Sequence, residues 1–293
     1  MVKKMVTELD EKRIKKIFPI RKKDSKKGDN GKVLVIGGSK IYHGAPLLTG
    51  LAAYRSGVDL VYMAIPKPLV IPVRSYSPSM IVLPLPDVKI TEGGIKKIIK
   101  YISGMNVSIN SAVLGPGIGK SRNKYLSLLI HKLQDNGIKI VVDADALTGE
   151  VVNNLDNDNT VITPHIEEFR RIFGYNMEDI SHNRIEVVEE TCKNRKMTIL
   201  LKGQTDIISN GKETYVNLTG NSGMTVGGTG DILSGIVGGM IARGASLIES
   251  ACIATYINGL SGDYAVKQKG FHILPDDIIN ELPNVMKRFD KIV

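Results

Sequence analysis

The chain has 293 residues, of which 42% are hydrophobic and 24% are charged, and this balance is typical of a folded globular protein. It argues against a disordered, collagen-like or coiled-coil protein, and no apolar run reaches the roughly 18–20 residues that a membrane span requires. The net charge is +9, but much of the excess lies in the first 32 residues without interleaved aromatic residues, so we expect neither a nucleic acid nor a membrane partner.

The N-terminal 30 residues differ in pattern from the rest of the chain. Four apolar side chains are spaced for one face of a short amphipathic helix: Leu9, Ile14, Ile17 and Phe18. The charged stretch RKKDSKKGDNG after them predicts a mobile segment. No apolar run follows the first lysines, which argues against a secretory signal, and Cys192 and Cys252 cannot form a disulfide framework. We therefore expect a reducing, intracellular compartment, the cytoplasm.

Short β-rich runs then alternate with segments of helical apolar spacing. The predicted strands are residues 33–36, 60–65, 80–85, 111–114, 140–143, 160–163 and 198–201, and the predicted helices are residues 46–56, 94–102, 123–133, 167–173 and 183–193. Such alternation predicts a mostly parallel sheet covered by helices on both faces. Runs 207–208 and 214–216 flank Asn210-Gly211, which favours an antiparallel hairpin. Helices at 231–242, 248–267 and 276–289 complete one α/β domain over residues 1–293.

The glycine-rich stretch GNSGMTVGGTGD, residues 220–231, precedes the apolar helix that begins the last part of the chain. Open parallel sheets bind ligands at the carboxyl ends of their strands, and amides at a helix N-terminus bind anions. The amides of Gly228, Thr229 and Gly230 are thus expected to hold a phosphoryl group, with Asp231 placed to take a proton from a hydroxyl. The alternative is a flexible loop followed by a helix-capping Asp231.

Charged residues end several of the predicted strands. Lys202 closes the strand at 198–201, where it would meet a nucleotide phosphate; the alternative is a lysine that extends from a strand end into solvent. Asp143 and Asp145 end another strand, and Asp143 would hold Mg²⁺ through water unless these residues only cap the next helix. His165 follows a proline and is either a ligand contact or a structural hydrogen-bonding residue.

Two further glycine-rich runs do not match the familiar nucleotide-binding motifs. The run LGPGIGKS, residues 114–121, has three residues where a P-loop requires four, so it predicts a tight turn against a ligand rather than a P-loop. The glycines at residues 37–44 do not form GxGxxG, which disfavours a classical Rossmann dehydrogenase. No G-x-S-x-G or H-E-x-x-H occurs, so serine-hydrolase and zinc-protease functions have no support.

Taken together and in this order, these stretches resemble the ADP/ATP-dependent NAD(P)H-hydrate dehydratases, the carboxy-terminal half of the bifunctional Nnr proteins. The resemblance covers about residues 10–285, in the segments GKVLVIGGSKIYHGAPLLTGLAAYRSG, LGPGIG, VVDADAL, ITPHIEEF, LLKGQTD and GNSGMTVGGTGDILSGIVGGM. It implies a ribokinase-like fold, a three-layer α/β/α sandwich. It also implies that the (6S) hydrate of NADH or NADPH loses water while ADP is converted to AMP and phosphate, or while ATP is consumed, with Mg²⁺ present.

The resemblance also implies roles for individual residues. Asp231 is the expected catalytic residue at the hydroxyl of the hydrate. The expected hydrate-binding residues are Ala45, Gly117, His165 and Asp231, and the expected nucleotide-binding residues are Lys202, Gly203, Gln204, Thr205, Asp206, Gly228, Thr229 and Gly230.

The chain departs from the family pattern at Ile166 and Glu167, where TPHPGE is usual, and a different loop after His165 is expected. The resemblance also implies a homo-oligomer, expected to be a tetramer, and no fused epimerase domain, so that a separate epimerase would supply the other half of the repair. The first alternative is a small-molecule kinase of the same superfamily, of the hydroxymethylpyrimidine or hydroxyethylthiazole type. The second is a non-catalytic nucleotide sensor.

Overall fold

A computed structural model describes residues 6–104, 108–119, 121, 123–155 and 158–293. Within these residues the strands are β1 (Thr7–Glu8), β2 (Lys32–Ile36), β3 (Leu60–Pro66), β4 (Ile81–Leu85), β5 (Ser111–Leu114), β6 (Lys139–Val142), β7 (Thr160–Ile162), β8 (Thr198–Leu201), β9 (Asp206–Ser209) and β10 (Thr214–Asn217). The helices are α1 (Glu11–Ile17), α2 (Gly44–Arg55), α3 (Val70–Tyr76), α4 (Glu92–Gly104), α5 (Asn123–Asp135), α6 (Gly149–Asn153), α7 (Ile166–Phe173), α8 (Met177–Arg195), α9 (Thr229–Ala242), α10 (Leu247–Lys269) and α11 (Pro275–Met286).

All these strands belong to one sheet, with the order β1-β10-β9-β8-β7-β6-β5-β2-β3-β4. Strands β2 to β8 pair in parallel, as the alternation of strands and helices predicts. Strand β9 is antiparallel to both β8 and β10, and the turn between β9 and β10 contains Asn210-Gly211. The expected mostly parallel sheet with an antiparallel hairpin is therefore confirmed.

Alternating side chains of the strands face two separate cores. In β2, Val33 and Val35 belong to the core under α2, α9, α10 and α11, whereas Leu34 and Ile36 belong to the core under α4, α5, α7 and α8. A strand that is apolar on both faces requires helices on both sides, because the side chains of each face would otherwise be exposed to water. The result is a three-layer α/β/α architecture.

The path of the chain creates a crevice at the centre of the sheet. From β2 the chain adds β3 and β4 on one side, and then crosses to add β5, β6, β7 and β8 on the other. The chain that leaves β2 enters α2 on one face of the sheet, and the chain that leaves β5 enters α5 on the other face. Such a change of direction is where open α/β sheets bind their ligands.

Three elements were not among the predicted ones: the two-residue β1, the short helix α6, and α3 with the helical turn before it. Each is short, and α3 contains two valines, an isoleucine and a proline, which give little helical pattern. The predicted N-terminal helix is present as α1. No helix of the described residues is long and apolar enough to cross a bilayer.

The charged segment after α1 differs from the mobile stretch that we expected. The amides of Gly28 and Asn30 donate to the Asp59 carboxylate at 2.7 and 3.0 Å, and the Arg21 guanidinium forms an ion pair with the same side chain. The Arg21 amide also donates to the Lys291 carbonyl. The sequence does not reveal these contacts because Asp59 and Lys291 are distant along the chain.

Candidate active site

The candidate residues lie in loops at the carboxyl-terminal edge of the sheet, the side on which the parallel strands end. Lys202 follows β8, His165 follows β7 and Asp143 follows β6. Residues 115–117, the GPG turn, follow β5, and residues 37–43 follow β2. An additional bridge pairs His165 with Lys202 in parallel, which extends the sheet by one step at this edge. Neighbouring strands are about 4.8 Å apart, so the loop after β8 and the loop after β2 are separated by about 19 Å along the edge.

Helix α9 begins beside this edge. Gly228 precedes it with φ +114°, a conformation that favours glycine, and Ile232 donates the first helical hydrogen bond to the Gly228 carbonyl. The amides of Thr229 and Gly230 belong to the first turn of the helix, where the helix itself provides no acceptor, and no side chain caps them. They are suited to hold an anionic ligand, and the anion site stays a prediction. Asp231 is the third residue of the helix and does not cap it, because Gly228 holds the N-cap position.

A buried ion pair connects two of the loops. The Lys202 Nζ atom lies 3.1 Å from Asp143 Oδ1, and the Asp143 side chain is 2% exposed. Burial alone lowers the pKa of Lys202, but the charges of Asp143, Glu168 and Asp231 outweigh it and leave that pKa above its usual value. A methyl group built on Gly230 would lie 3.4 Å from this Nζ atom, so the ammonium group is adjacent to the start of α9.

Asp143 accepts a hydrogen bond from Lys202, and its expected part in holding Mg²⁺ through water stays a prediction. Among the described residues, no three His, Cys, Asp or Glu side chains form a group that would hold a metal ion by themselves. A phosphate-bound Mg²⁺ usually needs only one or two carboxylates, because phosphates and water supply the other ligands. Asp143 and Asp231 therefore fit a metal that arrives with a nucleotide.

Asp231 has an unusual acidity. Burial raises its pKa, the neighbouring charge of Asp143 raises it further and Lys202 opposes the shift, with a resulting pKa of about 7. A carboxyl group that titrates near neutral pH is well suited to accept a proton from a hydroxyl, since it exchanges protons easily at the working pH.

His165 caps helix α7. Its Nδ1 atom accepts hydrogen bonds from the amides of Glu167 and Glu168, and Glu168 in turn accepts from the His165 amide. Nδ1 therefore serves as the acceptor that caps the helix. The side chain remains 53% exposed at the edge. Ile166 takes the first helical position and the capping box forms with Glu168, while the expected difference from the TPHPGE loop stays a prediction.

The loop at residues 202–206 has its shape fixed by Asp206. The Asp206 carboxylate accepts hydrogen bonds from the amide of Gly203, at 2.9 Å, from the hydroxyl of Thr255 and from the amide group of Asn217. Gln204 is exposed and Thr205 is half-buried, so both are accessible to a ligand. The carboxylate of Asp206 thus faces the protein, and its part in binding a nucleotide remains a prediction.

Arg184 is a residue of this loop region that the sequence did not indicate. Its guanidinium Nη2 donates to the Lys202 carbonyl at 3.1 Å, and a methyl group on Gly203 would overlap it. Burial lowers the pKa of Arg184, while the charge of Asp206 opposes that shift. No motif identifies Arg184, because it lies on α8 and reaches the loop only through folding.

The GPG turn and the loop after β2 are in contact across the central crevice. Gly117 has φ +61°, and a methyl group on it would lie 2.8 Å from the Tyr42 Cβ atom and 3.0 Å from the Ala45 Cβ atom. The Gly38 amide donates to the Pro116 carbonyl at 2.8 Å. The structure therefore brings together Ala45 and Gly117, which were both expected to bind the hydrate. Asp145 accepts from the Gly119 amide and so stabilises the same turn.

Comparison with known proteins shows which family shares this arrangement. A family model described as NAD(P)H-hydrate dehydratase matches residues 33–284. The chain is 45% identical over 292 residues to the ADP-dependent (S)-NAD(P)H-hydrate dehydratase of Cenarchaeum symbiosum, covering all of both chains. It is 46% identical over 280 residues to the protein of the same name from Nitrosopumilus maritimus, covering 96% of each.

A solved structure resembles the whole chain. The ADP/ATP-dependent NAD(P)H-hydrate dehydratase of Bacillus subtilis, co-crystallised with ATP and Mg²⁺, superposes with a TM-score of 0.83 at 24% identity, over 97% of this chain and 99% of that one. This similarity confirms the fold that the sequence predicted, a ribokinase-like three-layer α/β/α sandwich.

Proposed function

The chain belongs to the NAD(P)H-hydrate dehydratase family, and from this membership we propose that it repairs damaged nicotinamide cofactor. The reaction removes water from the (6S) hydrate of NADH or NADPH and consumes an adenine nucleotide. The family relatives of nearly equal length carry the name ADP-dependent, which favours ADP as the nucleotide of this enzyme, giving AMP and phosphate.

The proposed chemistry has two steps. The hydroxyl of the hydrated ring gives its proton to Asp231 and attacks the terminal phosphorus, while the bond from that phosphorus to the rest of the nucleotide breaks. The phosphate then leaves with the ring oxygen, pushed by the lone pair of the ring nitrogen, and a proton lost from the adjacent carbon restores the double bond. Free amides at the start of α9 and the Lys202 ammonium group would neutralise the transferred phosphoryl group.

One observation carries this proposal. Asp231, with a pKa of about 7, stands in the first turn of a helix whose leading amides have no acceptor within the helix and no side-chain cap. A base and an anion site are thereby held on the same turn of one helix, next to the Lys202 ammonium group. Transfer of a phosphoryl group to a hydroxyl requires this combination.

The test is the recovery of absorbance at 340 nm when the hydrate of NADH is incubated with the enzyme and ADP or ATP. We expect recovery with the wild-type enzyme, and near-complete loss of turnover with retained nucleotide binding in Asp231→Asn. Absence of recovery with either nucleotide would refute the function. Phosphorylation of a hydroxymethylpyrimidine or hydroxyethylthiazole, without recovery of NADH, would favour the superfamily kinase instead.

Several finer points belong to the same proposal. Mg²⁺ would enter with the nucleotide and supply charge neutralisation, with Asp143 and Asp231 as the nearby carboxylates.

We further propose that residues 1–293 act as one catalytic domain in the cytoplasm. The domain is expected to form a homo-oligomer, with the tetramer as the expected form. The two cysteines, both buried and unpaired, support a reducing compartment. Epimerisation of the hydrate would be the task of a separate protein.

A further inference from the structure

The loop after β2 contains a tight turn that lies on the rim of the central crevice. The Ser39 amide donates to the Tyr42 carbonyl at 3.1 Å, and the Tyr42 amide donates back to the Ser39 hydroxyl at 3.3 Å. The two hydrogen bonds fix residues 39–42 before any ligand arrives. A preformed turn costs little ordering entropy on binding.

This turn presents an aromatic side chain to solvent. Tyr42 is 55% exposed and Ile41 is 77% exposed, and Lys40 and His43 on either side of them are also exposed. The backbone and Cβ atom of Tyr42 pack against the position of Gly117, so the ring emerges directly beside the expected hydrate site. Among the described residues, the Tyr42 hydroxyl forms no hydrogen bond. The ring is therefore not tied to another side chain through its hydroxyl.

The order of the strands decides which part of the substrate can reach this turn. The proposed nucleotide loop follows β8, whereas the turn follows β2, about 19 Å away along the same edge. Asp231 lies between these two places, because a methyl group on Gly228 would lie 2.8 Å from Leu48 of α2 and one on Gly230 would lie 3.4 Å from the Lys202 Nζ atom. A dinucleotide whose reacting ring is at Asp231 must extend its other half away from the bound nucleotide. The loops after β5 and β2 are the ones that lie in this direction along the edge.

We propose that Tyr42 binds the adenosine half of the hydrated dinucleotide by stacking on the adenine ring; this inference rests on the proposed function. Adenine is flat and apolar on its faces, which suits an exposed aromatic ring held by a rigid turn. Lys40 beside it carries a charge complementary to the phosphates that join the two halves. The enzyme would thus hold two adenine groups, one at each end of the site.

The experiment compares two substrates that differ only in this half. One is the hydrate of NADH, and the other is the hydrate of reduced nicotinamide mononucleotide, which lacks adenosine monophosphate. Stacking on a base is worth about 1–3 kcal/mol, so Tyr42→Ala is expected to lower kcat/KM for the NADH hydrate by about 5- to 150-fold. The mononucleotide hydrate should be turned over equally, within about twofold, by both enzymes.

Matched variants separate binding from folding. Tyr42→Phe keeps the ring and should behave like the wild type with both substrates. Tyr264→Ala removes an exposed tyrosine from α10 and should change neither value, and the KM for ADP should stay constant throughout. An equal loss on both substrates, or no loss on the NADH hydrate, would overturn the proposal. Failure of the wild-type enzyme to regenerate NADH would instead refute the proposed function itself.

Discussion

Asp231 has a carboxyl group whose titration should control the reaction rate. Burial and the charge of Asp143 raise its pKa to about 7, and a base works only when deprotonated. We expect kcat/KM to rise about tenfold per pH unit below pH 7 and to level off above it. The measurement is a pH profile between pH 5 and 9. A profile that is flat through this range, with a fast Asp231→Asn variant, would contradict the assignment.

Lys202 and Asp143 form the second feature at the residue scale. Because Asp143 is buried, removing Lys202 leaves a carboxylate without its partner, at a cost of up to about 3–5 kcal/mol of unfolding free energy. We expect Lys202→Ala to lose stability in urea unfolding and to raise the KM for the nucleotide. The double variant Lys202→Ala/Asp143→Asn should regain stability but not the nucleotide KM. An effect limited to the KM for the hydrate would contradict this placement of Lys202.

At the scale of elements, helix α9 positions the base because it packs closely on its neighbours. A methyl group on Gly235 would lie 2.3 Å from the Thr49 carbonyl of α2 and 3.0 Å from the Ala52 Cβ atom. Gly235→Ala should therefore push the two helices apart and displace Asp231. A displacement of about 1 Å can cost on the order of 100-fold in rate, and steady-state kinetics would measure it.

The control for this variant is a glycine in an open position. On α4, a methyl group on Gly93 meets only the Thr91 hydroxyl, at 3.8 Å. Gly93→Ala should keep full activity and gain up to about 1 kcal/mol of stability from helix propensity. If both variants were equally active, close packing of α9 on α2 would not be what positions Asp231.

At the scale of the whole molecule, an aromatic cluster joins both ends of the chain. Phe289 is fully buried, with ring centroids 5.7 Å from Phe18 and 6.3 Å from Tyr256. Phe289→Ala should lower the free energy of unfolding by about 3–5 kcal/mol, and kcat should persist at temperatures where the variant is folded. The 70% exposed Phe271 is the matched control, for which Phe271→Ala should change stability by no more than about 0.5 kcal/mol. An equal change in unfolding free energy in the two variants would contradict the expected contribution of the cluster to stability.

Much of the architecture is encoded locally and was therefore predictable. Short, continuous apolar runs predicted the central strands, the Asn210-Gly211 turn predicted the β9–β10 hairpin, and the glycine-rich stretch predicted the start of α9. Each of these patterns depends on residues within a few positions of one another, since strand, turn and helix periods are short. The very short β1 and α6 lack enough residues to show a period.

The sequence alone therefore determined the α/β class, the family and the places of Asp231 and Lys202. Only the tertiary structure decided which side chains meet: Asp143 with Lys202, 59 positions apart, Arg184 over Gly203, and Tyr42 beside Gly117. These contacts follow from the order of strands in the sheet. That order results from the packing of all the layers together, and no single segment of the sequence contains it.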